Sequence, residues 1–229
     1  MGSTRLPGKV LRELGGLSTL AWVTRALDAA AVCDEVVVAT SDRPGDDAVE
    51  AEAVRLGAEV LRGHPDDVLS RYVAVARRFG ADRVVRVTAD NPLIDPAVVR
   101  DCTLRDGSVD LVTTGPPDSL PVGLDVEVVT RDCLQRLDRA ATGHYRSHVT
   151  AWAYDHPGDF HLEVVRYHPD ASDLRVTLDT PEDAACIGSV VEHLGEGPYG
   201  WREVVRLLRD HPEITALNAG IHQKPVSAG

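Results

Sequence analysis

No stretch of the 229 residues approaches the roughly 18 uncharged apolar residues of a membrane-spanning helix. No basic amino-terminal segment leads into an apolar run, so no secretory signal is visible. The four cysteines, Cys33, Cys102, Cys133 and Cys186, contain no Cys-x-x-Cys pair. That spacing argues against a zinc ribbon and for buried thiols in a reducing cytoplasm. Basic charge is scarce: 24 Lys+Arg stand against 36 Asp+Glu, a net charge of −12. Duplex nucleic acid is a poor partner for such a chain, because phosphate binding wants a net basic face. One anionic ligand, held by a local basic loop and a divalent metal, is still compatible with it.

What is present reads as one large α/β domain over residues 1–229. The chain is 43% hydrophobic and 26% charged, with 19 Gly and 14 Pro, which is globular and ample for a core. Apolar β-branched runs at 35–40, 59–61, 83–88, 109–113, 126–129, 162–165 and 174–178 predict strands. Helical patterns lie between them, clearest over 67–79 with Asp66 as its cap. Alternation of this kind predicts a mainly parallel sheet flanked by helices, with ligands beyond the carboxyl ends of the strands. Residues 116–129 break the alternation and suggest a strand-rich excursion that serves substrate or a dimer.

Two constellations carry chemistry. The first is Gly2-Ser-Thr-Arg5-Leu-Pro-Gly8-Lys9, a local basic cluster whose small residues let backbone N–H groups approach an anion. It is not a P-loop, since the glycine spacing is wrong and Val10 stands where a metal-binding Ser/Thr belongs. A solvated terminus is the alternative. The second is an internal echo: Arg86-Val-Thr-Ala-Asp90-Asn-Pro92 resembles Arg175-Val-Thr-Leu-Asp179-Thr-Pro181. Each is a strand that ends in an Asp and passes through proline into a helix, so both carboxylates should emerge at the ligand-binding edge. Together they could hold Mg²⁺, a hard cation that prefers oxygen ligands. Asp95 and Asp183 read instead as helix caps, and Asp183→Asn is expected to do little because Asn also caps well.

Other patterns carry less. Gly195–Gly200 matches Gly-x-Gly-x-x-Gly but follows a helix, not a strand, so it is no dinucleotide loop. His144 and His148 have zinc-ligand spacing with no evident third ligand.

Residues 1–11 resemble the signature loop of the sugar cytidylyltransferases, the group that includes CMP-Kdo and CMP-sialic acid synthetases. The match is nearest to the spore coat polysaccharide branch. Residues 37–42, 62–72, 86–95, 121–128, 145–150, 178–183 and Gln223-Lys224 resemble further motifs of that family, in order. The resemblance implies a Rossmann-like nucleotidyltransferase fold of the glycosyltransferase-A type and transfer of CMP from CTP to an acceptor. Arg5 and Lys9, with Gly2, Ser3 and Gly8, would hold the β- and γ-phosphates. Asp90 and Asp179 would hold Mg²⁺. Thr40, Ser41, Arg62, Asp67 and Arg71 would surround the base. Gly123, Asp125, Glu127, Arg146 and His148 would form the acceptor side. The acceptor stays open between acidic sugar, neutral sugar, polyol phosphate and phosphonate. The resemblance also implies a cytoplasmic enzyme and a possible homodimer, with no nucleic-acid or membrane partner. A glycosyltransferase on the same fold is the rival, although no Asp-x-Asp motif occurs. A non-catalytic or truncated nucleotide-binding relative is another.

Two departures stand out. Ser147 replaces the acid of the family's Arg-Glu-His-Val-Thr stretch. The apolar strand and Ala-Arg pair that normally precede the Gly-Ser-Thr loop are absent, so an upstream first strand is expected, with Met1 an internal Met of the motif.

Overall fold

The computed structural model describes residue 3, residues 5–116 and residues 118–223. A short hairpin opens the ordered chain: β1 (Glu13–Leu14) and β2 (Leu17–Ser18) turn at Gly15 and Gly16. Both glycines have positive φ, 56° and 85°, which a left-handed two-residue turn requires. Next come α1 (Thr19–Ala30), β3 (Val37–Ser41), α2 (Asp47–Arg55), β4 (Glu59–Gly63), α3 (Val68–Arg78) and β5 (Arg83–Arg86). Then follow α4 (Pro96–Thr103), β6 (Leu111–Thr113), β7 (Glu127–Thr130), α5 (Arg131–Ala140), α6 (Ala151–Asp155) and β8 (Leu162–Val164). The chain closes with α7 (Pro181–Leu194), α8 (Trp201–Asp210) and α9 (Pro212–Ala216).

Helix starts follow the local chemistry. Ser18 caps α1, Thr130 caps α5, and Thr180 with Asp183 forms a full capping box on α7. Asp95 caps α4 ahead of Pro96, as its sequence predicts. The cap of α3 is Asp67, not Asp66: its carboxylate accepts from Ser70 N at 2.9 Å. The helix begins one residue later than its apolar pattern suggests, and Asp66 stays exposed.

The strands form two separate main pieces. β3 and β4 pair in parallel. The other piece has the order β5-β7-β6-β8, with β7 antiparallel to both neighbours and β6 parallel to β8. The sheet is therefore mixed, not mainly parallel. The 114–126 segment doubles back from β6 into β7, so this connection needs no crossover helix. The described residues of that segment are mostly irregular, with strand structure only from Glu127 onward, because Pro116, Pro121 and Gly123 interrupt any ladder. For the same reason 174–178 makes a single bridge, Val122 to Arg175, in place of a full strand.

The main core joins α1, α4, α7 and α8 to one side of the larger sheet, around Trp22, Leu93, Ile94, Leu124, Leu178 and Ile187. A second cluster packs α3, α5 and α6 on β6 and β7. A smaller one, around Leu20, Val49 and Ala53, gathers Val10, Val38, Val60 and Ala89. Cys102, Cys133 and Cys186 are fully buried and Cys33 partly so, and none is in a disulfide.

Candidate active site

The two echoed segments meet. Asp90 lies just beyond β5 and Asp179 just before α7, and both carboxylates reach the same lysine. Lys9 Nζ donates to Asp90 Oδ2 at 2.5 Å and to Asp179 Oδ1 at 2.6 Å. Burial alone would lower the Lys9 pKa, but Asp90 and Asp179 more than offset it, so the ammonium is held charged. Arg5 donates to Asp179 Oδ2 at 2.9 Å, and Arg175 donates to the same oxygen at 3.1 Å. Burial would raise the Asp179 pKa, yet Lys9, Arg5 and Arg175 together keep it below the usual carboxylate range.

The loop that delivers Lys9 is shaped by Gly8, whose φ of 72° starts the tight turn Lys9–Leu11. Ser3 Oγ accepts from Leu6 N at 3.2 Å, and Leu6 anchors the loop in the main core. Gly2 lies outside the described residues.

The donor set suits a hard divalent cation: two carboxylates converge on one point, spanned by the Lys9 ammonium. Among the described residues no third His, Cys, Asp or Glu joins them.

Beside this point a pocket of about 590 Å³ opens at the carboxyl ends of β3 and β5. Val10, Thr40, Ser41, Asp46, Arg71 and Ala89 line it. Asp46 fixes its floor, accepting from Thr40 Oγ1 at 2.8 Å, Ser41 Oγ at 2.6 Å and Ser41 N at 3.1 Å. Arg71 reaches it from α3 across Gly63, where a Cβ would sit 3.0 Å from Arg71 Cγ. Its Nη1 donates to the carbonyls of His64 and Pro65, while its buried Nε has no hydrogen-bond partner among the described residues. Burial pushes its pKa down. A cation so placed is suited to an acceptor atom of a ligand.

The structure separates other residues that the sequence grouped. Arg62 is a brace: it donates to the carbonyls of Ser41 and Arg43 and pairs with Asp47 and Glu50. Asp67 does not share a ligand pocket with Arg71. Its carboxylate caps α3 and takes both Nε and Nη2 of Arg146, at 3.0 and 2.7 Å. Arg146 also pairs with Asp138, so this pair ties α3 to α5. His148 is half-buried, and its carbonyl accepts from Ala151 N.

Of the residues expected to form the acceptor side, Glu127 is buried, with both oxygens engaged. Oε2 accepts from Arg86 Nη1 at 2.6 Å, and Oε1 from Thr150 and Tyr154. Burial would lower the Arg86 pKa, but Glu127 leaves it raised. Glu127 thus stiffens the wall and does not face an open hollow. Asp125 is open to solvent. Protein packed around it, with the Asp118 charge adding, pushes its carboxyl up to about 6. Gly123, at φ 106°, packs on the 176–177 backbone, where a Cβ would lie 2.4 Å from Thr177 N. Close packing alone thus requires glycine there.

Sequence reasoning missed Arg175 and Asp46. Arg175 had a signal, its place at the head of the echo opposite Arg86. Asp46 had none, because an acid after a strand reads as an ordinary loop residue.

This arrangement, with a basic loop over a carboxylate pair beside a pocket at the strand ends, defines the nucleotidyltransferase class of α/β protein. Residues 1–208 match the family described as cytidylyltransferase. The chain is 33% identical to the spore coat polysaccharide biosynthesis protein SpsF of Bacillus subtilis (strain 168), over 93% of this chain and 92% of that one. The structure of a cytidylyltransferase from Leptospira borgpetersenii serovar Hardjo-bovis superposes with a TM-score of 0.91 at 27% identity, covering 97% of this chain and 95% of that one. CMP:2-keto-3-deoxy-manno-octonic acid synthetase complexed with CTP shares the fold at a TM-score of 0.62 and 18% identity, over 84% of this chain and 95% of that one. The chain belongs to the cytidylyltransferase family and is a CTP-dependent nucleotidyltransferase.

Proposed function

We propose that the chain, acting as one unit, transfers the CMP group of CTP to an oxygen of a sugar-like acceptor and releases pyrophosphate, in the biosynthesis of a surface polysaccharide. The observation that carries this reading is the meeting of Lys9 with Asp90 and Asp179 beside the Thr40–Arg71 pocket. The polysaccharide context rests on the likeness to SpsF.

Lys9 and Arg5 take the β- and γ-phosphates and stabilise the charge that grows on departing pyrophosphate. Asp90 and Asp179 would hold Mg²⁺, which supplies charge neutralisation at the α-phosphate when bound. Thr40 and Ser41, fixed by Asp46, and Arg71 position the base. The acceptor approaches from the Asp125 side, against the wall that Glu127 and Arg86 hold rigid. Such chemistry is chiefly positioning.

We place the enzyme in the cytoplasm and expect a homodimer that uses the 116–129 segment. Four cysteines outside any disulfide are consistent with a reducing compartment. No described helix is long and apolar enough to cross a membrane. Light scattering at working concentration tests the dimer, and a monomer mass removes it.

Pyrophosphate release measured over CTP, UTP, ATP and GTP, against acidic sugars, neutral sugars, polyol phosphates and phosphonates, tests the reaction. Acceptor-dependent release from CTP alone is expected. Release from no nucleotide with any acceptor, or sugar transfer without pyrophosphate, overturns the reading.

A further inference from the structure

The turn that carries Asp125 abuts the point where Asp90 and Asp179 meet. Residues 176–178 are hydrogen-bonded to both: Val176 N donates to the Val122 carbonyl at 2.7 Å, and Leu178 N donates to the Asp90 carbonyl at 2.8 Å. Asp179 is the next residue along. Gly123 lies against the 176–177 backbone, and its own N–H donates to Asp125 Oδ2 at 3.4 Å. Among the described residues the Asp125 carboxylate accepts no other hydrogen bond, whereas both oxygens of Glu127 are taken. The lining of the Thr40–Arg71 pocket includes none of residues 121–127, so Asp125 stands beside the carboxylate pair and outside the nucleotide pocket.

Solvent reaches Asp125, yet protein surrounds it. That surrounding protein comes first in pushing its carboxyl up to about 6, with the Asp118 and Glu127 charges adding and the Gly123 N–H and Arg86 opposing. A group both wetted and enclosed lies on the floor of a cleft. The charged groups that act on it are Asp118 from its own segment, Glu127 at the start of β7 and Arg86 at the end of β5. Arg86 already gives Nη1 to Glu127, so the acids of the cleft are in excess. Such a cleft repels a phosphate or phosphonate dianion and admits a hydroxyl.

We propose that Asp125 is a catalytic residue of the transfer: its carboxylate takes the proton of an acceptor hydroxyl as that oxygen joins the α-phosphorus. This rests on CMP transfer to a sugar-like acceptor, as proposed above. The O–H bond breaks and its proton passes to the carboxylate, while the oxygen's electron pair forms the new bond to phosphorus. The bond from the α-phosphorus to pyrophosphate breaks, and its pair leaves with the pyrophosphate. The proton then passes to the solvent that reaches Asp125. A base of this kind works best when its pKa lies near the working pH. The acceptor is therefore one that attacks through a hydroxyl, on a neutral or an acidic sugar. An attacking phosphate oxygen is already ionised near pH 7 and needs no base.

Single-turnover pyrophosphate release tests this, with CTP, Mg²⁺ and whichever acceptor of the panel supports release in the wild-type chain. Asp125→Asn should slow release roughly 10²- to 10⁴-fold. Its affinity for CTP, measured by calorimetry, should be unchanged; a parallel loss of CTP binding makes Asp125 a nucleotide or folding residue and overturns the proposal. The wild-type kcat/KM should rise with pH up to about 6 and level above it, because the base acts only when ionised. Asp118→Asn removes a charge that raises the Asp125 pKa, so it should move that rise to lower pH, which a merely structural Asp125 would not do. Carbon-13 NMR of labelled aspartate in the chain alone should show one carboxyl titrating with the same midpoint and lost in Asp125→Asn. Near-wild-type release in Asp125→Asn, a pH rise unmoved by Asp118→Asn, or release driven only by a polyol phosphate or phosphonate overturns the proposal and leaves CMP transfer standing. Absence of release from the wild-type chain with every acceptor overturns CMP transfer itself, and this proposal with it.

Discussion

The two Arg-Val-Thr-x-Asp-x-Pro segments differ in almost everything except where their aspartates end. Arg86 lies in β5 and pairs across the sheet with Glu127. Arg175 lies in an irregular segment and turns back onto Asp179 and Asp183. Asp90 is held by Lys9, whereas Asp179 is held by Lys9, Arg5 and Arg175. The same short motif thus delivers one lightly held carboxylate and one braced carboxylate to a single point. A pair of this kind can exchange an ammonium for a metal on one side without losing its geometry on the other.

The sharpest way to break the comparison is to neutralise each aspartate in turn. Asp90→Asn and Asp179→Asn should each lower the rate of pyrophosphate release roughly 10²-fold or more, because metal and phosphate stabilisation contribute several kcal/mol. Circular dichroism should show both variants folded. The two should part in stability, with Asp179→Asn melting lower, since it leaves Arg5 and Arg175 without their shared partner.

Asp183 separates the halves next. The cap reading alone makes Asp183→Asn nearly harmless. In the structure Asp183 is fully buried and binds Arg175 through both oxygens at 2.8 and 3.0 Å, with Asn218 and two backbone N–H groups beside it. Removing its charge takes from Arg175 its two-point partner and leaves it only Asp179 and Gln223, so we expect a loss on the order of 3 kcal/mol in urea unfolding. Asp95→Asn, at the equivalent helix start, should cost well under half of that.

Lys9→Ala and Arg5→Ala should weaken CTP binding by roughly 10- to 100-fold, as the loss of a hydrogen bond between charged groups predicts. CMP binding should change little. Calorimetry with both nucleotides checks this, and equal losses would move the loop away from the β- and γ-phosphates.

The smallest effect is on pH dependence. Asp179 has its pKa lowered in the folded state, so its contribution is present above the ordinary carboxylate range, near pH 4, and is lost as pH falls through the folded value. The Lys9 pKa is raised, so its contribution holds below its ordinary value of 10.5 and is lost only as pH rises beyond that. Melting temperature should therefore fall on acidification below about pH 4, and Asp179→Asn should flatten that fall. An unchanged acid slope in the variant would contradict the bracing of Asp179.

Much of this was legible in the chain. An aspartate beyond β5, a basic loop in an acidic protein and proline-led helix starts are local signals, and local chemistry decides them; the strand expected before Asp179 is a single bridge instead. The antiparallel β7 was not legible, because its apolar run reads alike in either direction. Nor were the partners of Arg62, Asp67 and Glu127, since a charged residue near a site looks the same in sequence whether it meets ligand or braces a loop.

The convergence of Asp90 and Asp179 on one cation is tested most directly by Mn²⁺ binding, followed by electron paramagnetic resonance with CTP present. The wild-type chain should hold a single Mn²⁺ tightly, and Asp90→Asn and Asp179→Asn should each lose it. Undiminished Mn²⁺ binding in both variants would contradict the shared site.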